Sequence, residues 1–194
     1  MKEKIMETIS INGKKIVLNS NVKDITIDNL NKIMSLNTKI YQDDVDKIFD
    51  IISILYNLTK DEIEDLDYEV YLKLTKSINT INDYSDVDTL SFENTFTFDG
   101  VTYKTNAVND TYKFKLREVL KLEEVMKEKP NDYISTLAGI LYIEVDEDGN
   151  FIGDSKPSSI SKRAKIFEEH MTVNYIMFYL TKLTEYLQKK VWQS

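Results

Sequence analysis

The 194 residues are 42% hydrophobic and 30% charged, carry a formal charge of −8 and include five glycines, two prolines and no cysteine. At this length folding removes roughly 70% of the unfolded chain's surface from water, so one compact domain or two small lobes can form without a staple. The cysteine count excludes disulfide frameworks, thiol catalysis and cysteine-ligated zinc clusters.

The charge is unevenly placed. Lys156 to Ser194 holds seven basic and three acidic residues, which leaves −12 for Met1 to Ser155. Thr59 to Glu93 carries ten acidic residues against Lys60, Lys73 and Lys76, a stretch that repels a phosphate backbone. Only Arg117 and Arg163 supply the bidentate guanidinium fork, so nucleic acid is an unlikely partner on composition. Lys2 and Lys4 are followed by no apolar run of seven within Met1 to Ser10, and no secretory signal is expected there. The most apolar stretch, Tyr175 to Leu180, is six residues against the ~20 of a membrane span, so no membrane partner is expected.

Asn12-Gly13, Asp99-Gly100 and Asp148-Gly149 predict three short β-hairpins, because such pairs supply the positive φ angles of tight turns. Ile9, Ile11, Ile16 and Leu18 flank the first, and Leu90, Phe92, Phe96, Phe98, Val101 and Tyr103 the second. The third is expected to join Leu141, Ile143 and Val145 to Phe151 and Ile152. Between the first two the apolar period lengthens. Ile27, Leu30, Ile33 and Met34 predict a helix after Thr26 or Asp28, and Val45, Ile48, Phe49, Ile52 and Leu55 one after Asp43 or Asp44. Thr59-Lys60-Asp61-Glu62 has the form of a capping box ahead of Ile63 and Leu66. A further helix follows from about Asp67 with Val70, Leu74, Ile78 and Ile81 on one face.

The polar run Asn82 to Asp88 is the predicted boundary between a hairpin-and-helix lobe over residues 1–85 and a second over 89–194, unless the two are one continuous domain. Val119, Leu120, Leu122 and Met126 predict the apolar side of a helix ending near Pro130, and Asn131 or Asp132 the start of another through Ile134, Leu137, Ala138 and Leu141. Ala138-Gly139 permits close approach of a neighbouring backbone. The last helical region starts after Ser158, Ser159 or Ser161 and runs to about Lys190. One continuous helix and a restart at Thr172 both fit. The expected fold class is α+β, mostly helical, with about three short β-hairpins.

No nucleophile motif, phosphate loop or dinucleotide fingerprint is present. His170 beside Glu168 and Glu169 is the strongest acid-base grouping, and it reads better as an ordinary helical residue than as the centre of a small carboxylate-dependent enzyme. Asp43-Asp44 and Glu123-Glu124 point about 100° apart on a helix and do not converge. Glu144 to Asn150 has the alternating oxygens of a calcium loop, but Ser155 stands where the closing glutamate is needed. No catalytic residue, metal site or cofactor is therefore expected. Twelve tyrosines, eight phenylalanines and Trp192 read first as core, with Tyr112 and Phe114 extending the cluster around the second hairpin, and the surplus of tyrosine also suits a protein interface. Tyr175, Ile176, Phe178, Tyr179 and Leu180 cover more than one helix face, so that helix is either central or docks into another subunit. Tyr175, Phe178, Tyr179, Tyr186 and Trp192 are the candidate partner interface.

The run Phe49-Asp50-Ile51-Ile52-Ser53-Ile54-Leu55-Tyr56-Asn57-Leu58-Thr59, continued by Asp61-Glu62-Ile63-Glu64-Asp65-Leu66, resembles small structural and tail-assembly-chaperone-like proteins of tailed bacteriophages. Phe98-Asp99-Gly100-Val101-Thr102-Tyr103, Leu137 to Tyr142 and Arg163 to Val173 are similar to the same group, including proteins of crAss-like gut phages. The abundance of isoleucine, asparagine and lysine matches an adenine- and thymine-rich genome. The resemblance implies a non-enzymatic virion or assembly protein, found in the virion or the host cytoplasm and bound to other phage structural proteins, and it carries over no site residue. Self-association is also expected, the acidic Thr59 to Glu93 region of one copy meeting the basic C-terminal part of another head to tail.

Overall fold

The computed structural model describes residues 7–18, 24–37, 39–41, 43–81, 94–105, 114–177 and 179–180. Its first element is the Asn-Gly hairpin. Asn12 and Gly13 take φ of 49° and 76°, the left-handed pair that matches the twist of β1 (Thr8–Ile11) and β2 (Lys14–Val17). The register sets Ile9 opposite Ile16, and the period of two sends Ile9, Ile11 and Ile16, with Leu18 beyond the strand, to one buried face. That face meets α2 (Asp44–Tyr56), α3 (Lys60–Glu64) and α4 (Tyr68–Ile81) through Ile52, Tyr56, Leu58, Ile63, Leu74 and Ile78.

The caps lie where the sequence places them. Asp43 Oδ1 accepts the Asp46 amide, and Thr59 Oγ1 accepts the Glu62 amide at 3.2 Å while Glu62 accepts the Thr59 amide at 2.8 Å. Lys14 Nζ reaches Glu62 at 2.9 Å, tying the hairpin to this cap. Thr59→Ala removes one half of the box and is expected to cost about 1 kcal/mol in urea unfolding, with no change of slope.

A second core is built on a three-stranded antiparallel sheet, β3 (Thr95–Phe98), β4 (Val101–Thr105) and β5 (Tyr142–Val145), in that order. Helices α6 (Tyr133–Leu141) and α7 (Pro157–His170) share its core, and α1 (Ile27–Leu36) and α5 (Leu116–Glu128) pack against those two helices. Phe96, Tyr103, Leu122, Leu137, Ile140, Tyr142, Ile160, Phe167 and Ile176 fill its centre. The fold is of the α+β class and mostly helical.

The two cores are linked through the segment ahead of α1. Ile27, at the start of α1, belongs to the second core, and the segment before it is laced to the end of α7: the Ile27 amide donates to Met171 O at 3.0 Å and the Val173 amide to Ile25 O at 2.8 Å. Ile25 and Val173 form a small buried cluster that also touches Leu55 of α2, so apolar packing runs from one core to the other. The connector at 82–88, and Leu90, Phe92 and Tyr112, lie outside the described residues.

This lacing also decides the C-terminal helix. Met171 is extended (ψ 131°) because its carbonyl is taken by Ile27, and Thr172 forms an isolated bridge with Thr26. The Thr172 hydroxyl then bonds the Asn174 side chain and helix resumes at residues 174–177 and 179–180, so the restart describes this region, with the stretch toward Lys190 outside the described residues. Helix α7 starts earlier than the serines suggested, with Pro157 in its first turn, where a missing amide costs nothing.

Two expectations are corrected. The third hairpin forms but is shorter than expected: Gly149 takes φ 80°, the Asp146 amide donates to Asn150 O and the Ile152 amide to Glu144 O, each at 3.0 Å, and Phe151 bridges Val145, but no full strand follows the turn and Ile152 is exposed. The partner of β5 is β4, with Tyr103 opposite Glu144, because a strand buried along most of its length gains more inside a sheet than in a lone ribbon. In α5 the inward residues are Glu118, Leu122 and Val125, whereas Val119, Leu120 and Met126 face outward.

Candidate functional site

Two turns of α2 present Asp46, Phe49, Asp50 and Ser53 at spacings of three and four, which places them on one side of the helix. With Tyr41 ahead of α2 and Lys60 opening α3 they line a cavity of ≈250 Å³. The Tyr41 hydroxyl donates to Asp50 Oδ2 at 2.8 Å and Lys39 Nζ to the same oxygen at 3.1 Å. Lys60 Nζ lies 3.3 Å from Asp46 Oδ1 and 4.0 Å from Glu64 Oε1.

These contacts drive the ionisable groups away from neutrality. Desolvation, then the bond to Asp50 and the negative charges of Asp50 and Asp46, push Tyr41 up to about 12. The Tyr41 hydroxyl, ahead of Lys39, holds Asp50 below the usual carboxylate value, and the bond to Asp46 raises Lys60. Ser53 and Lys60 share the cavity, but a lysine activates a serine only when neutral, and Asp46 favours its charged form.

Beside the cavity runs an aromatic ridge. Phe49 meets Tyr71 edge to face, centroids 6.0 Å apart, and Tyr71 stacks on Tyr68 at 6.5 Å. Tyr68, Leu72 and Val45 are exposed in the same α2–α4 region. Sequence reasoning missed this site; its available signal was the one-sided spacing of Asp46, Asp50 and Ser53 ahead of Lys60 in the first turn of α3.

The residues singled out from sequence are placed differently. Tyr179 is buried in the second core and its hydroxyl shares a 3.1 Å hydrogen bond with Thr105. Tyr175 is half-buried, edge to face with Phe96 and Tyr142, and its carbonyl accepts the Tyr142 hydroxyl at 2.9 Å. The central placement therefore describes both. Phe178, Tyr186 and Trp192 lie outside the described residues.

Glu168, Glu169 and His170 fan out. The His170 ring stacks on Phe98, centroids 4.0 Å apart, with Nε2 3.5 Å from the exposed Glu169 carboxylate. Glu168 is half-buried, and burial, then the charges of Asp132 and Asp28, raise its pKa. A raised carboxyl pKa means the folded state disfavours the charged form. Stability is lost as pH climbs from the unfolded value, about 4.3, through the folded one. Glu168→Gln is expected to raise the melting temperature at pH 7 by roughly 1–3 °C and to leave it unchanged near pH 3, where both forms are neutral.

In the acidic turn, Asp146 accepts the Asn150 amide at 2.8 Å and its side-chain Nδ2 at 3.2 Å, bonds that hold the carboxyl below its usual value and close the turn on itself. Among the described residues no three His, Asp or Glu side chains converge to hold a metal ion, and no helix is long and apolar enough to cross a membrane. The chain matches no protein-family model, no curated protein and no solved structure.

Proposed function

We propose that this protein is a non-enzymatic structural or assembly component of a tailed bacteriophage, acting by binding other phage proteins in the virion or in the host cytoplasm. The observation that carries the non-enzymatic part is the α2–α3 cavity. Its hydroxyl, carboxylates and ammonium are committed to one another and poised away from neutral pH, whereas acid-base catalysis needs a group near it. The ridge beside it is of the opposite kind. The exposed Tyr68, backed by the half-buried Tyr71 and set next to fixed charges, supplies apolar area and a polar tip together, the composition that anchors protein interfaces.

The phage assignment rests on the resemblance of Phe49 to Leu66 and the three later segments. Mass spectrometry of purified particles and of infected cells tests it. Presence in particles makes the chain a virion component. Expression in infected cells in complex with particle proteins, but absence from particles, makes it a transient chaperone. Expression with no phage protein bound, or a turnover abolished by Asp50→Asn, overturns the proposal.

A further inference from the structure

The α2–α3 cavity is of the size of one long side chain. Its ≈250 Å³ falls below the ~300–1,000 Å³ of small-molecule sites. Asp46 and Asp50 stand one helical turn apart on its wall, a pair that repels within a helix unless a cation lies between them. Each spends a single oxygen on the bonds already described, Asp46 Oδ1 on Lys60 and Asp50 Oδ2 on Tyr41 and Lys39. Asp46 Oδ2 and Asp50 Oδ1 accept no hydrogen bond among the described residues. The two lysines are loosely held. Their side chains are 56% (Lys39) and 62% (Lys60) exposed, and pairs so exposed to water contribute little to stability. Lys60 has a second partner on its own helix, Glu64 Oε1 at 4.0 Å. The surroundings draw in positive charge: from Asp43 to Glu69 ten acidic residues stand against Lys47 and Lys60, a net −8 that equals the formal charge of the whole chain.

We infer that this cavity receives an arginine side chain of a partner polypeptide, its guanidinium set between Asp46 and Asp50 while Lys39 is displaced and Lys60 falls back on Glu64. A guanidinium is planar and donates from more than one edge, so it bonds two carboxylates at once, whereas a lysine brings a single point charge. Phe49 adds an aromatic wall, which suits a weakly hydrated cation. The same ring joins the cavity to the ridge of Tyr71 and Tyr68, so apolar residues beside the arginine meet the exposed Tyr68. The matching segment of the partner is therefore an arginine flanked by apolar side chains.

This inference rests on the reading of the protein as a binding protein and names the chemistry of its partner. NMR titration of the full chain with a blocked pentapeptide carrying arginine between two leucines tests it. Shifts are expected in α2 and at the start of α3. The same peptide with citrulline, which keeps the shape and loses the charge, is expected to bind at least about tenfold more weakly, and Asp50→Asn to weaken the arginine peptide by a similar factor. Lys39→Ala is expected to tighten binding about two- to fivefold by removing the competing cation, a gain that a merely structural lysine would not give. Tyr68→Ala is expected to weaken the peptide and to leave blocked arginine alone, which reaches only the cavity, unchanged. Equal affinity for arginine and citrulline, unchanged affinity in Lys39→Ala, shifts centred elsewhere, or no binding up to about 5 mM peptide would each overturn the arginine pocket. Blocked arginine that binds as tightly as the peptide would make the ligand a small cation, and self-association that Asp50→Asn abolishes would make it a second copy of the chain; either overturns the choice of partner. Such failures leave the particle mass spectrometry untouched, and a working arginine pocket in a chain that binds no phage protein removes the assembly reading alone.

Discussion

Phe167→Ala is expected to cost about 3–5 kcal/mol in unfolding free energy, the upper range for a buried aromatic. The ring is fully buried and sits where α7 crosses the sheet. It meets Tyr103 of β4 edge to face at 4.9 Å, Phe96 of β3 at 5.5 Å and Tyr142 of β5 at 6.2 Å, so one side chain touches every strand. Such pairs add about 0.5–1.5 kcal/mol each beyond area burial. The void cannot collapse easily, because sheet hydrogen bonds hold the surrounding rings. Against a total stability of roughly 5–15 kcal/mol the loss is large. Phe167→Leu, which keeps most of the volume but not the ring edges, should cost less than half as much. A loss below about 1.5 kcal/mol for the alanine variant would mean that the second core does not close around this ring.

Local elements were legible and their long-range partners were not. The Asn12-Gly13 turn, the Thr59 capping box and the starts of α1 and α2 depend on side chains within a few residues of one another, and a period of two or 3.6 reports them directly. The Ala138-Gly139 pair was readable for the same reason, since a missing Cβ marks a close approach wherever the neighbour comes from. The lacing of Ile25 and Ile27 to Met171 and Val173 joins positions almost 150 apart in sequence, and no period encodes it. Hence α1 looks N-terminal in sequence yet begins in the C-terminal core. The pairing of β5 with β4 was hidden similarly, because Asp148-Gly149 gives a good turn whether or not the chain beyond it forms a strand.

Site residues suffered from a different confusion. Val119, Leu120 and Met126 have a helical apolar period, and a period states that a face is apolar without stating what covers it. The inner strip of α5 includes a buried Glu118, which no hydropathy pattern selects. Likewise the α2–α3 cavity joins Tyr41, Asp50 and Lys60 across two turns of chain, and each alone reads as a solvated polar residue.

The junction of α6 and α7 is where a one-carbon change should tell. A Cβ on Gly139 would lie 2.7 Å from Ile160 O and 3.1 Å from Ala164 N, both backbone atoms of α7 that cannot rotate aside. Alanine improves helix propensity by about 1 kcal/mol over glycine, but overpacking costs about 1–3 kcal/mol, and the immobility of these neighbours makes the clash dominant. Gly139→Ala is therefore expected to destabilise by roughly 1–2 kcal/mol net. The same glycine supplies a second contact, because α6 ends at Leu141 and its last carbonyls lack helical donors. Buried Arg163 reaches across from α7 and its Nε donates to Gly139 O at 2.9 Å, placing a positive group at the negative end of α6. Arg163→Met keeps the aliphatic stem but leaves that acceptor buried without this donor, at a cost of about 1–3 kcal/mol. Moving α7 away from an alanine at 139 should already stretch the Arg163 bond, so the double variant should lose less than the two singles together. Urea midpoints of the three variants measure this, and a Gly139→Ala protein as stable as the wild type would mean that α7 packs farther from α6 than the 2.7 Å clash requires.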